Sequence, residues 1–298
     1  MVKLRPLKVG SRIGIAAPAG PFDRKRFLKG VRVLNRLGFR VQYGQDIFAR
    51  NGYLAGNDRR RARELIRFLQ NRRVQALLFA RGGYGCAPLL PLLLKNSIKP
   101  KVVVGFSDLT VILNFLWKGL RLPSLYGPMV ATDLGGVTHP KNAERLHSAL
   151  IDPDFFEGQH LVAKSLLNPG QARGRLVGGC LQLIISTLGT PYDLETRGSI
   201  LFLEDTGEEA YRVDRMITQL IQAGKLRGVR GIVLGTFKIG KQLFPTGIHR
   251  VFQDRLKWFR GPILWGVRFG HCENPLILPL GGIGRIEGRR LLIEKGIF

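Results

Sequence analysis

The chain has 298 residues, 45% of them hydrophobic and 23% charged, a globular composition with room for one large domain or two of ordinary size. Its net charge of +26 attracts polyanions and favours solubility but carries no information about fold. Three widely spaced cysteines, Cys86, Cys180 and Cys272, argue against a disulfide framework and against a zinc spacing.

The opening "MVKLRPLKVGSRIGIAAPAG" has scattered charges and no continuous apolar stretch, unlike a signal peptide, so a cytoplasmic protein is expected. Within it, "RIGIAAPAG" (12–20) reads as a buried strand followed by a Pro/Gly turn. Residues 24–37 predict a helix with Phe27, Val31 and Leu34 on one face and Gly38 just past its end. "FRVQY" (39–43) is a second strand. In "NDRRRARELIRFLQNRRV" (57–74), Ala62, Leu65, Ile66 and Leu69 form one apolar helix face, and the arginines are expected on the solvated one. No zinc-finger spacing or aromatic-basic motif accompanies them, so nucleic acid is not expected as a partner. "QALLFARGGYG" (75–85) is a strand breaking into a glycine loop, and "VVVGF" (102–106) is a strand leading to a helix through Leu109, Ile112, Leu113 and Leu116. Strands alternating with helices, several wholly apolar, imply an α/β fold with a parallel sheet covered on both faces. Ligands in such sheets gather at the carboxyl ends of the strands, where "ARGGYG" and Ser107 would lie.

Turn-rich stretches such as "DLGGVTHP", "DPDF" and "NPG" mark residues 136–170 as a linker between a domain at 1–135 and another at 171–298. In the second, Leu181, Ile184, Ile185 and Leu188 share a helical face that Gly189 ends. The run 176–188 is too short and too interrupted to span a bilayer. "SILFLE" is a strand ending at Glu204, followed by a helix with Val213, Met216, Ile217, Leu220 and Ile221 inward and closed by Gly224. Further strands are expected at 231–236, 263–268 and 284–294, giving a smaller mixed α/β unit.

Ser107 sits where a strand meets a helix and has two readings. It is a preferred N-cap residue, although Thr110 stands where a capping box wants Glu or Gln. It is equally a serine lifted above a sheet, with the following amide of Asp108 at a helix start, where negative charge is favoured. The G-x-S-x-G pattern itself is not matched. Among the histidines, His139, His147, His160 and His249 stand in polar or turn contexts, whereas His271 directly follows a strand and a glycine. Glu204 ends an apolar strand and could orient a base; Asp205, Glu208 and Glu209 could serve the dipole of the next helix. Gly82 and Gly83 allow close backbone approach to a ligand, and the Walker and dinucleotide patterns are absent. No second cluster completes a metal site around His271.

Taken in order, "GSRIGIAAPAGPF", "ARGGYG", "GFSDLT", "LYGPM", "LEDTGEEAYRVDRMITQL" and "GHCENPLILPLG" resemble the LD-carboxypeptidase family of serine peptidases over nearly the whole chain. The resemblance implies a flavodoxin-like N-terminal domain and a smaller C-terminal domain, with Ser107 as nucleophile, His271 as base and Glu204 as its partner. It implies an oxyanion hole from the amides of Asp108 and Gly83 (or Gly82), no metal or organic cofactor, a murein-derived peptide substrate and a homodimer. Arg81, Gly82, Tyr84 and Arg212 are candidates for substrate binding. A related group of self-immunity proteins hydrolyses peptidyl- or aminoacyl-nucleotides and is the alternative; a non-catalytic polyanion-binding protein is a third. One departure stands out: Cys180, where similar proteins often carry asparagine.

Overall fold

The computed structural model describes residues 2–94, 96–136 and 141–298, so His139 and part of "DLGGVTHP" lie outside the described residues. The first half alternates as the apolar pattern predicts: β1 (Arg12–Ala16), α1 (Arg24–Arg36), β2 (Arg40–Gln42), α2 (Asp58–Gln70), β3 (Ala76–Phe79), α3 (Leu90–Leu93), β4 (Val102–Gly105), α4 (Thr110–Leu120) and β5 (Ser124–Tyr126). Asp23 caps α1 by accepting from the amide of Arg26, and Gly38, at φ +88°, lets the chain turn back into β2. β1 to β5 pair in parallel in the order β2-β1-β3-β4-β5, the flavodoxin-like arrangement.

The second half holds α5 (Lys141–Ile151), β6 (Gln159–Val162), β7 (Ser165–Asn168), β8 (Gln171–Cys180), α6 (Leu181–Ser186), β9 (Ser199–Thr206), α7 (Ala210–Gln222), β10 (Gly231–Ile239), β11 (Gln242–Leu243), α8 (Thr246–Leu256), β12 (Ile263–Trp265), β13 (Leu278–Leu280), β14 (Ile283–Glu287) and β15 (Arg290–Lys295). β8, β9, β10 and β12 run parallel at the centre of a mixed sheet ordered β6-β15-β14-β8-β9-β10-β12-β7, with β11 beside β10. β6 and β7 are its two outer strands, yet only Ala163 and Lys164 join them. A flat sheet would separate these edges by about 34 Å at the usual strand spacing. Two residues span roughly 10 Å at most, so the sheet must roll almost into a barrel. The bridging amides confirm the closure: Ala163 donates to Arg289 O at 2.8 Å and Lys164 to Trp265 O at 2.9 Å.

Several expectations need correcting. The stretch 136–170 is not a plain linker: it carries α5, whose Leu146, Ala149 and Leu150 are buried, and the two outer strands of the second sheet. Its turn residues punctuate short elements rather than an open connection. "LVGGC" belongs to β8, and 284–294 is a hairpin turning at Gly288 (φ +53°) rather than one strand. Arg61 is not on the solvated face of α2. It is fully buried, and its guanidinium donates to the carbonyls of Pro18, Gly56 and Gly85 and pairs with Asp58. Glu64, also buried, accepts from the amide of Ala17 at 2.8 Å, so α2 braces the loops after β1 and β3 from beneath.

The two sheets are tied together. β13, from the C-terminal half, adds antiparallel to β5. Asn114 of α4 donates to Gly178 O at 3.1 Å, and Thr110 accepts from the amide of Cys180 at 3.1 Å. The carboxyl ends of both sets of parallel strands therefore face one another. Among the described residues no helix is long and apolar enough to cross a membrane.

Candidate active site

Ser107 lies just past β4, at φ +63°. That left-handed conformation is uncommon for a residue with a side chain and is held only where its surroundings impose it. Neither the turn at Ser107–Leu109 nor α4 has a side-chain N-cap bond, so the serine does not serve as a cap. Its Oγ lies 3.2 Å from His271 Nε2 instead. His271 Nδ1 lies 2.7 Å from Glu204 Oε2, and the ring edge of His271 meets Phe106 at 5.0 Å. Ser107, His271 and Glu204, 164 and 67 residues apart in sequence, thus form one hydrogen-bonded chain.

Each member is positioned by its element. Glu204 lies in β9, fully buried, paired in register with Cys180 of β8. His271 follows Gly270, which has φ +80°; a Cβ there would stand 2.3 Å from Glu204 Oε2, so only glycine lets the loop approach the carboxylate. Tyr126, at the end of β5, donates its hydroxyl to Glu204 Oε1 at 2.6 Å.

Burial pulls the His271 imidazole down, but the charge and hydrogen bond of Glu204, with Asp205 and Asp133 behind, outweigh it and hold the pKa above its ordinary value. Burial, then the charge of Glu204, pushes the Asp205 carboxyl up to about 7. Asp205 accepts from the amides of Gln182 and Thr206, both at 2.8 Å, and takes the Cys180 thiol at 3.5 Å. Asp108 is buried, which raises its carboxyl; its Oδ2 accepts from the amide of Cys86 at 2.9 Å and so anchors the glycine loop to the serine turn.

A cavity of about 1060 Å³ opens over Ser107 and His271. Arg81, Gly82 and Gly83 form part of its wall, with Arg81 held by Pro21 O at 2.7 Å. A Cβ on Gly82 would stand 3.1 Å from Ser107 Oγ and 3.5 Å from the amide of Asp108, so glycine keeps the space beside both open. Cys180 lines the cavity. Two expected substrate contacts do not. Tyr84 is exposed against Tyr53, ring centroids 5.9 Å apart, and Arg212 is exposed on α7 beside Tyr211 and Glu208, because the inward face of that helix belongs to Val213, Met216 and Ile217. The wall includes cations that pattern reading passed over, Lys238 and Arg268, together with Asp133. Lys238 lies near the carboxyl end of β10, in register with Thr206, and its strand-end position was the available signal. Asp133 lies in a π turn (Val130–Leu134), which has no simple sequence signature. Among the described residues no group of three or more His, Cys, Asp or Glu could hold a metal ion.

A hydroxyl, an imidazole and a buried carboxylate in line beside a cavity constitute the geometry of a serine hydrolase. Residues 13–127 match the LD-carboxypeptidase N-terminal domain and residues 173–286 the LD-carboxypeptidase C-terminal domain. A "Probable murein peptide carboxypeptidase" of Bacillus subtilis is 34% identical over 99% of this chain and 95% of its own length. The crystal structure of muramoyltetrapeptide carboxypeptidase from Oxalobacter formigenes superposes with a TM-score of 0.81 at 29% identity, covering 96% of this chain and 98% of that one. The structure of MccF in complex with glutamyl sulfamoyl guanosine has the same fold, with a TM-score of 0.86 at 23% identity over 99% of each chain. The chain belongs to the LD-carboxypeptidase family and is a serine carboxypeptidase.

Proposed function

We propose that the protein releases the terminal D-alanine from murein tetrapeptide, cutting after the L-centre of diaminopimelate, in the cytoplasmic recycling of cell-wall peptides. The observation that carries this is the Ser107–His271–Glu204 chain at the floor of a cavity, in a chain similar to murein peptide carboxypeptidases. His271 Nε2 takes the proton of Ser107 Oγ as the oxygen attacks the scissile carbonyl. Glu204 holds the imidazole with Nε2 toward the serine and stabilises the imidazolium that forms. The amides of Asp108 and Gly83 receive the oxyanion. His271 then gives its proton to the departing amine of D-alanine, and water, deprotonated by the same imidazole, releases the acyl chain.

Arg81, Lys238 and Arg268 give the cavity wall the positive charge that a substrate carboxylate requires. The nucleotide-linked alternative needs an aromatic side chain free to stack on a base. None of Trp117, Trp258 and Trp265 lines the cavity, and the ring of Phe106, which does, already packs against His271 at 5.0 Å and Tyr126 at 6.0 Å. A chromatographic assay with tetrapeptides ending in D-alanine or L-alanine, and with a peptidyl-nucleotide, tests the reading. Release of D-alanine alone supports it; cleavage of the nucleotide conjugate alone replaces it with the alternative.

A further inference from the structure

Tyr126 belongs to the "LYGPM" segment, to which the catalytic scheme assigns no role. Its side chain is fully buried, in edge contact with Phe202 at 5.4 Å, Phe106 at 6.0 Å and Phe269 at 6.5 Å. One hydroxyl serves partners from both sheets, with the Thr110 side chain also hydrogen-bonded to it. The hydroxyl donates to Glu204 Oε1 at 2.6 Å and accepts from the backbone amide of Ser107 at 3.4 Å. The tyrosine comes from the first sheet and the glutamate from the second, so this one group links the turn that carries the nucleophile to the carboxylate that orients the base. We propose that Tyr126 is a positioning residue that lowers the proton affinity of the Glu204–His271 pair and holds the left-handed turn at Ser107. The proposal rests on the reading of Ser107 as nucleophile.

The Glu204 carboxylate is out of water, and its Oε2 is occupied twice by His271, through Nδ1 and through the backbone amide. A donor on Oε1 withdraws negative charge from the carboxylate, so the pair binds a proton less tightly. Burial, then the charge of Glu204, drives the Tyr126 phenol well above its ordinary value, which keeps it protonated and a donor throughout the working range. Without that donor either His271 or Glu204 holds the extra proton more tightly, and the apparent titration of the pair moves up in both cases. The other groups facing the pair are Asp205 beside it in β9, Cys180 at the end of β8, Asp133 in the π turn, and Cys272 with Arg268 in the loop of His271. The same groups are present in every variant below, and Asp205, held at about 7, titrates with the pair, so the inflection is that of the coupled group.

The test is the rate at which a fluorophosphonate labels Ser107, followed against pH. It needs no natural substrate, so failure of the peptide assay leaves it intact. In wild type the rate rises with pH as His271 becomes neutral. Tyr126→Phe should shift that inflection upward by about one pH unit, about tenfold in rate below the inflection. Replacement of Tyr126 by 3-fluorotyrosine, a stronger donor of the same shape, should shift it downward. Phe202→Leu, which loosens the packing on the ring and leaves the hydroxyl, should lower the melting temperature without moving the inflection. A lowered plateau with an unmoved inflection in Tyr126→Phe, or shifts of the same sign in both tyrosine replacements, would overturn the proposal. If Tyr126→Phe does not fold, the fluorotyrosine shift decides alone. Absence of labelling in wild type would overturn both this proposal and the nucleophile assignment.

Discussion

His271 meets Glu204 twice: Nδ1 lies 2.7 Å from Oε2, and the backbone amide of the same histidine donates to that oxygen at 3.1 Å. The double contact fixes the ring by its side chain and its main chain together. Nδ1 carries the proton toward Glu204, which leaves Nε2 free to accept from Ser107. Glu204→Gln should keep the shape and lose the charge. We expect kcat/KM to fall by about 10³–10⁴-fold, with the folded state retained by circular dichroism.

The same contact sets the pH dependence of activity. The imidazole is held above its ordinary value, and it must be neutral to take the proton of Ser107. kcat/KM should therefore rise with pH through an inflection above the 6.5 of a free histidine. In Glu204→Gln, burial loses its main counterweight, leaving only the more distant Asp205 and Asp133, and the residual activity should titrate at lower pH. A pH–rate profile of both proteins checks the order of the two inflections.

Asp205 makes a separate prediction for stability. Its folded pKa of about 7 lies above the unfolded 3.8, so between these values the unfolded chain has released a proton that the fold retains. The fold is therefore favoured at low pH, and the contribution is lost as pH rises from about 4 to about 7. Urea titrations of wild type and Asp205→Asn across that window should show a wild-type stability that declines with pH relative to the variant, then runs parallel above 7. Parallel curves throughout would refute it.

Two glycines with positive φ should behave differently. Gly270→Ala places a Cβ 2.3 Å from Glu204 Oε2 at φ +80°, whereas Gly288, at φ +53° in the β14–β15 turn, has nothing within 4 Å. Gly270→Ala should cost about 3 kcal/mol and at least about 100-fold in activity. Gly288→Ala should cost about 1 kcal/mol and leave kcat/KM unchanged. Thermal melts and initial rates separate the two.

Arg61 shows that a charge can hold a loop from inside. Its guanidinium serves the carbonyls of Pro18, Gly56 and Gly85, on three loops at the cavity end of the first sheet. Arg61→Met leaves those buried carbonyls without donors and should destabilise the protein by about 3 kcal/mol or more, with Arg61→Lys restoring little because one ammonium cannot span three loops. Chemical denaturation measures both.

Most of the first sheet was legible because its strands are apolar runs and its helices have a clear inward face. Phe27, Val31 and Leu34 are buried in α1 as their spacing requires. Ser107, Glu204 and His271 were legible as polar residues at the ends of apolar runs, and the resemblance singled them out. In the structure Ser107 follows β4, Glu204 lies inside β9, which continues to Thr206, and His271 stands in the loop after β12. β5, β6, β7 and β13 were not legible: they are as short as β3 and β4, but prolines at or beside β5 and β13 and polar residues in β6 and β7 break up the apolar run that marks the others. Tyr126 escaped notice for the same reason: nothing local says that a tyrosine ending a three-residue strand will meet a carboxylate from the other sheet. The position of Arg61 contradicts its helix-face pattern because three converging carbonyls solvate its charge.

The central claim is that Ser107 attacks the L,D-bond of a murein peptide. Mass spectrometry of murein tetrapeptide after incubation with wild type and with Ser107→Ala tests it directly. The account predicts loss of one D-alanine with wild type and none above background with Ser107→Ala. Loss of D-alanine with both proteins, or with neither, would contradict it.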